Sequence, residues 1–314
     1  MPIEIYNIPI STAVENLARQ ADINHLFDPR LLKWWAFRDS NGDAIHEPII
    51  RFRSMNLNAR QALLQILKEH QLILLEDPVT SIARITDANE VVNPIDVSLL
   101  GSDTNVIPQI QFQDVPITTG LEYLARQVGI NYVLNPKIGY RQPDKNGQIV
   151  AEPILSIRWE NITAKQAFIA ICENYDWVIA KNPATSILLI SEKSHPITNY
   201  ANATLLGSDT NEFIPIQIIG GMTWQGRACS DTNAIQIEDE PLDIALTQLA
   251  KVAQIKTVLD PRLSGGSTIS VHWRHITPKQ AIVALCDIYN LIIAENSATG
   301  EIQIKPRELA NQGN

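Results

Sequence analysis

Residues Ile3–Pro29 read IEIYNIPISTAVENLARQADINHLFDP, and this stretch decides the fold because the chain writes it three times. Ile110–Pro136 reads IQFQDVPITTGLEYLARQVGINYVLNP, and Ile235–Pro261 reads IQIEDEPLDIALTQLAKVAQIKTVLDP. The prolines fall in step as Pro9, Pro116 and Pro241, and each stretch closes on an Asx-Pro pair (Asp28-Pro29, Asn135-Pro136, Asp260-Pro261). A second stretch follows each first one and repeats with it. It reads RFRSMNLNARQALLQILKEHQLILLED from Arg51, SIRWENITAKQAFIAICENYDWVIAKN from Ser156 and SVHWRHITPKQAIVALCDIYNLIIAEN from Ser270. Two separated halves that recur together in three copies mark an internal repeat, each copy being one supersecondary unit.

Every copy predicts the same elements. A short alternating strand (Ile3, Ile5; Ile110, Phe112; Ile235, Ile237) ends at the proline. An amphipathic helix follows, with apolar stripes such as Leu121, Leu124, Ala125, Val128 and Ile244, Ala245, Leu249, Val252. A brief strand leads to the Asx-Pro turn, and a longer alternating strand follows it. Asn58, Thr163 and Thr277 then stand as N-caps of a second helix, with Pro278 at the first helical position in the third copy. Two strands close the unit. The reading is an α+β chain of three tandem small β-α-β-β-α-β-β domains, with two helices packed on one face of each sheet. Their expected bounds are 1–98, 99–205 and 234–314, with 206–233 as a linker. Asn41-Gly42 and Asn146-Gly147 predict hairpin ribbons inserted into the first two copies, replaced in the third by Ser264-Gly265-Gly266-Ser267. Within the linker, strand-like halves flank Gly220-Gly221. An extra hairpin and a segment packed between domains remain alternatives there.

Composition narrows the classes of function. The 314 residues are 45% apolar, 19% charged and 6% aromatic, which suits a folded chain rather than a disordered one. The net charge of −9 is shared by all three copies, so nucleic acid is not an expected partner. No apolar run reaches the ~18–20 residues that span a bilayer as a helix. Met1-Pro2 runs directly into the first strand with no secretory leader, which leaves a cytosolic protein or one already relieved of its leader. Three cysteines make no disulfide framework. Cys172 and Cys286 follow Gln-Ala pairs at one offset, where Leu67 holds the matching place, and read as small buried hydrophobes. Cys229 lies in the linker.

Patterns for chemistry lead elsewhere than catalysis. Asp39-Ser40-Asn41-Gly42-Asp43 with Glu47 lacks the acidic spacing and flanking helices of a calcium loop and reads as the hairpin. His272 and His275 lack further ligands at zinc spacing. No nucleophile elbow, phosphate-cradling loop or metalloprotease helix occurs in the sequence. Asp28, Asn135 and Asp260 read as turn formers that bond the following backbone. No catalytic residue, cofactor, metal ligand or small-molecule substrate is therefore expected. Trp34, Trp35 and Trp224 are the candidate protein-contact residues.

The repeated pattern, (V/E)P(I/L)xxxLxxLAxQxxIN, an Asx-Pro turn, then (I/V)xxxWxxITxKQAxxxIC, resembles the short N-terminal domain of bacterial secretins and of some TonB-dependent receptors. The third copy, Ile235–Lys305, is the nearest to it, and the ribbon inserts of the other two depart from it. The resemblance implies non-enzymatic periplasmic domains of a secretin-like envelope protein, which assemble subunit rings or dock partners in a secretion or pilus-type system. It implies protein partners, self-association and a periplasmic or cell-envelope location. A signalling module like that of TonB-dependent transducers is the alternative it carries.

Overall fold

The computed structural model describes residues 2–31, 47–87, 95, 100, 104–138, 152–194, 196–197, 200–201, 203–207, 213–225 and 234–307. Repeat 1 contains β1 (Ile3–Pro9), α1 (Ile10–Gln20), β2 (Asn24–Phe27), β3 (Ile49–Ser54), α2 (Ala59–Glu69), β4 (Leu72–Glu76) and β5 (Ile82–Asp87). Repeat 2 contains β6 (Val106–Pro116), α3 (Ile117–Val128), β7 (Tyr132–Leu134), β8 (Ile154–Thr163), α4 (Ala164–Asn174), β9 (Trp177–Lys181) and β10 (Leu188–Glu192). A hairpin, β11 (Ile216–Ile219) and β12 (Met222–Gln225), precedes repeat 3. That repeat contains β13 (Ala234–Pro241), α5 (Leu242–Val252), β14 (Thr257–Leu259), β15 (Thr268–Arg274), α6 (Pro278–Ile288), β16 (Leu291–Asn296) and β17 (Glu301–Pro306). The chain is a mixed α/β protein of several small sheets, as the α+β class requires. By internal contacts it divides into two compact units, Met1–Leu124 with Ile154–Trp177 and Ala125–Pro153 with Val178–Asn314. Each unit therefore holds part of repeat 2.

The expectation of two helices on one sheet needs correcting. The strands of each repeat form two separate sheets, an antiparallel pair (β1–β3, β6–β8, or β13–β15) and a three-stranded mixed sheet ordered β2-β5-β4, β7-β10-β9 or β14-β17-β16. The short strand after the first helix takes its partner from the end of the repeat, in parallel register, as Asn24 with Ile82 and Thr257 with Ile302. That pairing removes it from the first sheet. In repeat 1 the core joins Ile5, Ile50 and Phe52 of the pair, the apolar faces of α1 and α2, and Leu72 and Ile85 of the mixed sheet. Helices with apolar cover from two sheets bury more area than helices on one face, which is what a unit of this size lacks.

Left-handed residues recur at matching places and set the turns. Asn7, Asp114 and Asp239 have φ of 54, 52 and 48° at the register shift of each first strand, a bulge that short Asx side chains tolerate. Asp22, Gly129 and Gln254 end the first helices in the same conformation, with φ of 54, 72 and 56°. The expected N-caps form complete capping boxes, with Asn58, Thr163 and Thr277 accepting from the N–H of Gln61, Gln166 and Gln280 while those glutamine side chains accept in return.

Residues 206–233 do more than link. β11 pairs in parallel with β13 and antiparallel with β12, extending the third sheet to the order β12-β11-β13-β15. Buried Glu240 accepts from the Gly221 N–H at 2.7 Å, and Gln248 donates to the Gly221 carbonyl, so the hairpin tip is bound to repeat 3. The ribbons around Asn41-Gly42 and Asn146-Gly147, the Asp39–Asp43 segment and Cys229 lie outside the described residues. Cys172 and Cys286 are fully buried on the inner faces of α4 and α6, where burial pushes both thiols far up. Replacing Thr277 with Ala removes one capping box and should lower stability by about 1 kcal/mol, read as the urea unfolding midpoint.

Candidate functional site

The residues that carry specific geometry sit where one repeat meets the next, first within the unit formed by residues 1–124 and 154–177. Asn24, opening β2, bonds the main chain of Glu160 twice. Its amide donates to the Glu160 carbonyl and its oxygen accepts from the Glu160 N–H, both at 2.8 Å. The fully buried Trp159 donates its indole N–H to the carbonyl of His25 at 2.8 Å. The Asn174 amide donates to the Phe27 carbonyl at 2.9 Å, and Gln166 donates to the Val79 carbonyl at 3.3 Å. β2 thus lies along β8, and β5 lies along α4.

The unit formed by residues 125–153 and 178–314 repeats this arrangement. Asn131 donates to the Arg274 carbonyl at 2.7 Å and accepts from the Arg274 N–H at 2.8 Å. Trp273 donates to the carbonyl of Tyr132 at 2.6 Å. Val133, Ile187 and Leu189 of repeat 2 are buried in the same core as Trp273 and Leu285 of repeat 3. Fully burying one such aliphatic side chain contributes about 1.5–3 kcal/mol, against about 0.5–1.5 kcal/mol net for a hydrogen bond. Apolar contact therefore supplies most of the adhesion, and the asparagine and tryptophan bonds set its register.

Charge is concentrated on the first of these faces. The Asp28 carboxylate is buried and accepts from the Arg30 N–H at 2.8 Å, from Arg30 Nε and Nη2, from Arg84 Nη2 at 2.8 Å and from Thr86 Oγ1 at 2.9 Å. Burial alone would raise this carboxyl. The Arg30 bonds, the Arg84 charge and the Thr86 hydroxyl outweigh burial and hold it at about 2. Arg84 also donates to the Glu173 carbonyl at 3.2 Å. Burial pushes Glu173 up to about 7 and Asp287, at the same position of repeat 3, up to about 6. Burial pushes the imidazole of His25 down to about 4, so it is neutral at pH 7.

The tryptophans that dock the repeats are Trp159 and Trp273, which sequence reasoning places in strands without assigning them contacts. Their signal is present, since both precede an Ile-Thr-x-Lys-Gln-Ala run at one offset, where repeat 1 has Ser54. Trp34 and Trp35 lie outside the described residues, and Trp224 lies on β12 opposite Gln217. Asp28, Asn135 and Asp260 bond the backbone two residues on, the turn role expected of them. His272 lies on β15, and His275 turns the chain with φ of 53° and meets Phe213 edge-on. No group of three or more metal-ligating side chains occurs among the described residues. No helix among them is long and apolar enough to cross a membrane. An open cleft of about 840 Å³ runs along β1 and the start of α2, lined by Ile3, Tyr6, Leu17, Met55 and Leu57, with Glu4 as its one charged lining residue. No protein-family model, no curated protein and no solved structure matches this chain.

Trp159→Phe and Trp273→Phe keep most of the buried ring and leave a carbonyl without its donor. Each should cost about 1–3 kcal/mol in chemical unfolding, and unchanged midpoints would show that the indole bond does not hold the face. Because the folded Asp28 carboxyl sits below its ordinary 3.8, it stabilises fully above that value and ceases to do so as pH falls towards 2. Thermal melting of Asp28→Asn should accordingly lose part of the acid dependence of the parent chain between pH 4 and 2.

Proposed function

We propose that this chain is a non-enzymatic scaffold of the bacterial cell envelope, built as three tandem domains of one kind. In this reading it is the periplasmic part of a secretin-like protein. It mediates subunit ring assembly or partner docking in a secretion or pilus-type system. The observation that carries the reading is the docking of consecutive repeats through the same residues, Asn24 and Trp159 in one unit and Asn131 and Trp273 in the other. A chain that spends its length on small cores fixed to one another leaves the remaining faces for contact, as modular assembly proteins do. The resemblance of the repeated sequence pattern to secretin N-terminal domains supports the same direction.

Exposed apolar side chains on repeat 1 agree with it. Tyr6, Met55 and Leu64 face solvent around the β1 cleft and the outer side of α2. Light scattering at micromolar concentration, combined with pull-down from envelope extracts, tests the proposal. Self-association, or capture of a secretion or pilus component, is expected. A strict monomer that retains no such component overturns it.

A further inference from the structure

Repeats 1 and 3 carry the same first sheet and treat its outer edge differently. β13 has β15 on one side and β11 on the other, in a parallel register that runs from Ile216 with Ile235 to Ile219 with Glu238. β1 has β3 as its one sheet neighbour among the described residues. The segment lying on β13 is held at both ends of its seat. At one end Phe213 meets His275 edge-on, 5.9 Å between ring centroids. At the other, Gln248 accepts from the Thr223 hydroxyl at 2.8 Å and donates to the Gly221 carbonyl at 3.2 Å. Between them Ile216 and Ile218 are fully buried. The positions of repeat 1 that match His275 and Gln248 are Asn56 and Asn16, and both line the open cleft of about 840 Å³ beside β1. The cleft therefore matches, in repeat 1, the seat that β11 fills in repeat 3. Its apolar side chains agree. Ile3 and Leu57 are half-buried there, whereas Ile235 and Ile276 in the same places are 1% and 6% exposed. Repeat 2 differs again, with Tyr123 at the position of Asn16 and its ring edge-on to Phe112 at 5.8 Å.

We propose that the β1 edge of repeat 1 is a strand-addition site for an extended segment of a partner protein, which enters parallel to β1 with aliphatic side chains at two alternate positions. Resting on the reading of the chain as a docking scaffold, the site gives that docking a place and a chemistry. A sheet edge offers unpaired backbone N–H and C=O groups to an incoming strand, and alternate side chains supply the specificity. The two aliphatic side chains take the places of Ile216 and Ile218, beside Ile3 and Ile5. The residue between them lies beside Glu4, whose carboxylate is paired with Arg53 at 3.0 Å, so a neutral side chain such as that of Gln217 suits the position. A single strand fits this edge better than the β11–β12 hairpin of a second copy. In repeat 3 Glu240 and Gln248 latch the hairpin tip at Gly221, and repeat 1 has Ile8 and the shorter Asn16 in their places.

A synthetic peptide of the sequence Phe213–Ile219, labelled with a fluorophore and flanked by lysines for solubility, tests the site on the full chain. Its anisotropy should rise to saturation. Hydrogen–deuterium exchange should slow at residues 3–8 and not at 234–241, where β11 already pairs. The same peptide carrying Ile216→Lys and Ile218→Lys should not bind. Ile3→Lys in the chain, at a half-buried position, should weaken binding by about tenfold or more with circular dichroism unchanged. No saturation by about 1 mM peptide, or protection away from residues 3–8, overturns the proposal. So does unaltered binding by a folded Ile3→Lys chain. Tighter binding of a Phe213–Gln225 hairpin peptide than of the single strand overturns it in favour of a second copy. The assay reads neither self-association nor envelope capture, so its failure removes the strand site and leaves the scaffold reading to its own test.

Discussion

Helix α4 is buried along nearly its whole circumference, from Ala164 to Asn174, and α6 likewise from Pro278 to Ile288, whereas α2 buries only Ala62, Leu63, Ile66 and Leu67. The rest of the structure follows from that difference. A helix buried on nearly all sides cannot be covered by its own small sheets alone, and it finds cover in the preceding repeat. Leu64 on α2 is 43% exposed, while Ile169 and Val283 at the same position are 1% and 2% exposed. On the opposing face, Leu26 and Val133 are 7% and 3% exposed, and Val258 at the same position is 47% exposed. Small α+β units of this kind have stabilities of the same order as a few buried aliphatic side chains, so docking is comparable to each repeat's own core.

Register within the docked faces comes from polar groups that read main chain rather than side chain. The asparagine opening β2 or preceding β7 bonds both backbone groups of one residue, and the tryptophan of β8 or β15 reaches one carbonyl. Main-chain recognition tolerates change at the partner position, which is Glu160 in one case and Arg274 in the other. The faces differ in polarity. Arg84 on β5 occupies the place that Leu189 holds on β10, and it brings Asp28 and Thr86 into a buried network. A buried charged network stabilises only while every member is satisfied. The first face therefore rests on a buried ion pair, Arg84 with Asp28, where the second has Leu189.

Much of this is legible in the sequence. Element order, the Asn58, Thr163 and Thr277 caps, the Asx-Pro turns and the buried cysteines all follow from local chemistry, which acts over a few residues and leaves a mark at fixed spacing. Strand pairing is not legible there. Alternation identifies β2 as a strand but carries no information on whether its partner is β3 or β5, and the partner divides five strands into two sheets. The attachment of β11 to β13 is equally hidden, because Glu240 shows its use only when Gly221 is beside it. Trp159 and Trp273 read as strand residues because nothing in one strand shows that its apolar face is shared between two repeats.

The sequence by itself marks a pattern written three times as two linked halves, and its caps and turns bound the helices of each copy. Tertiary structure decided how the repeats meet within each unit. That outcome depends on pairs far apart in the chain, Asn24 with Glu160 and Asn131 with Arg274. Their significance lies in geometry, which belongs to no residue taken alone.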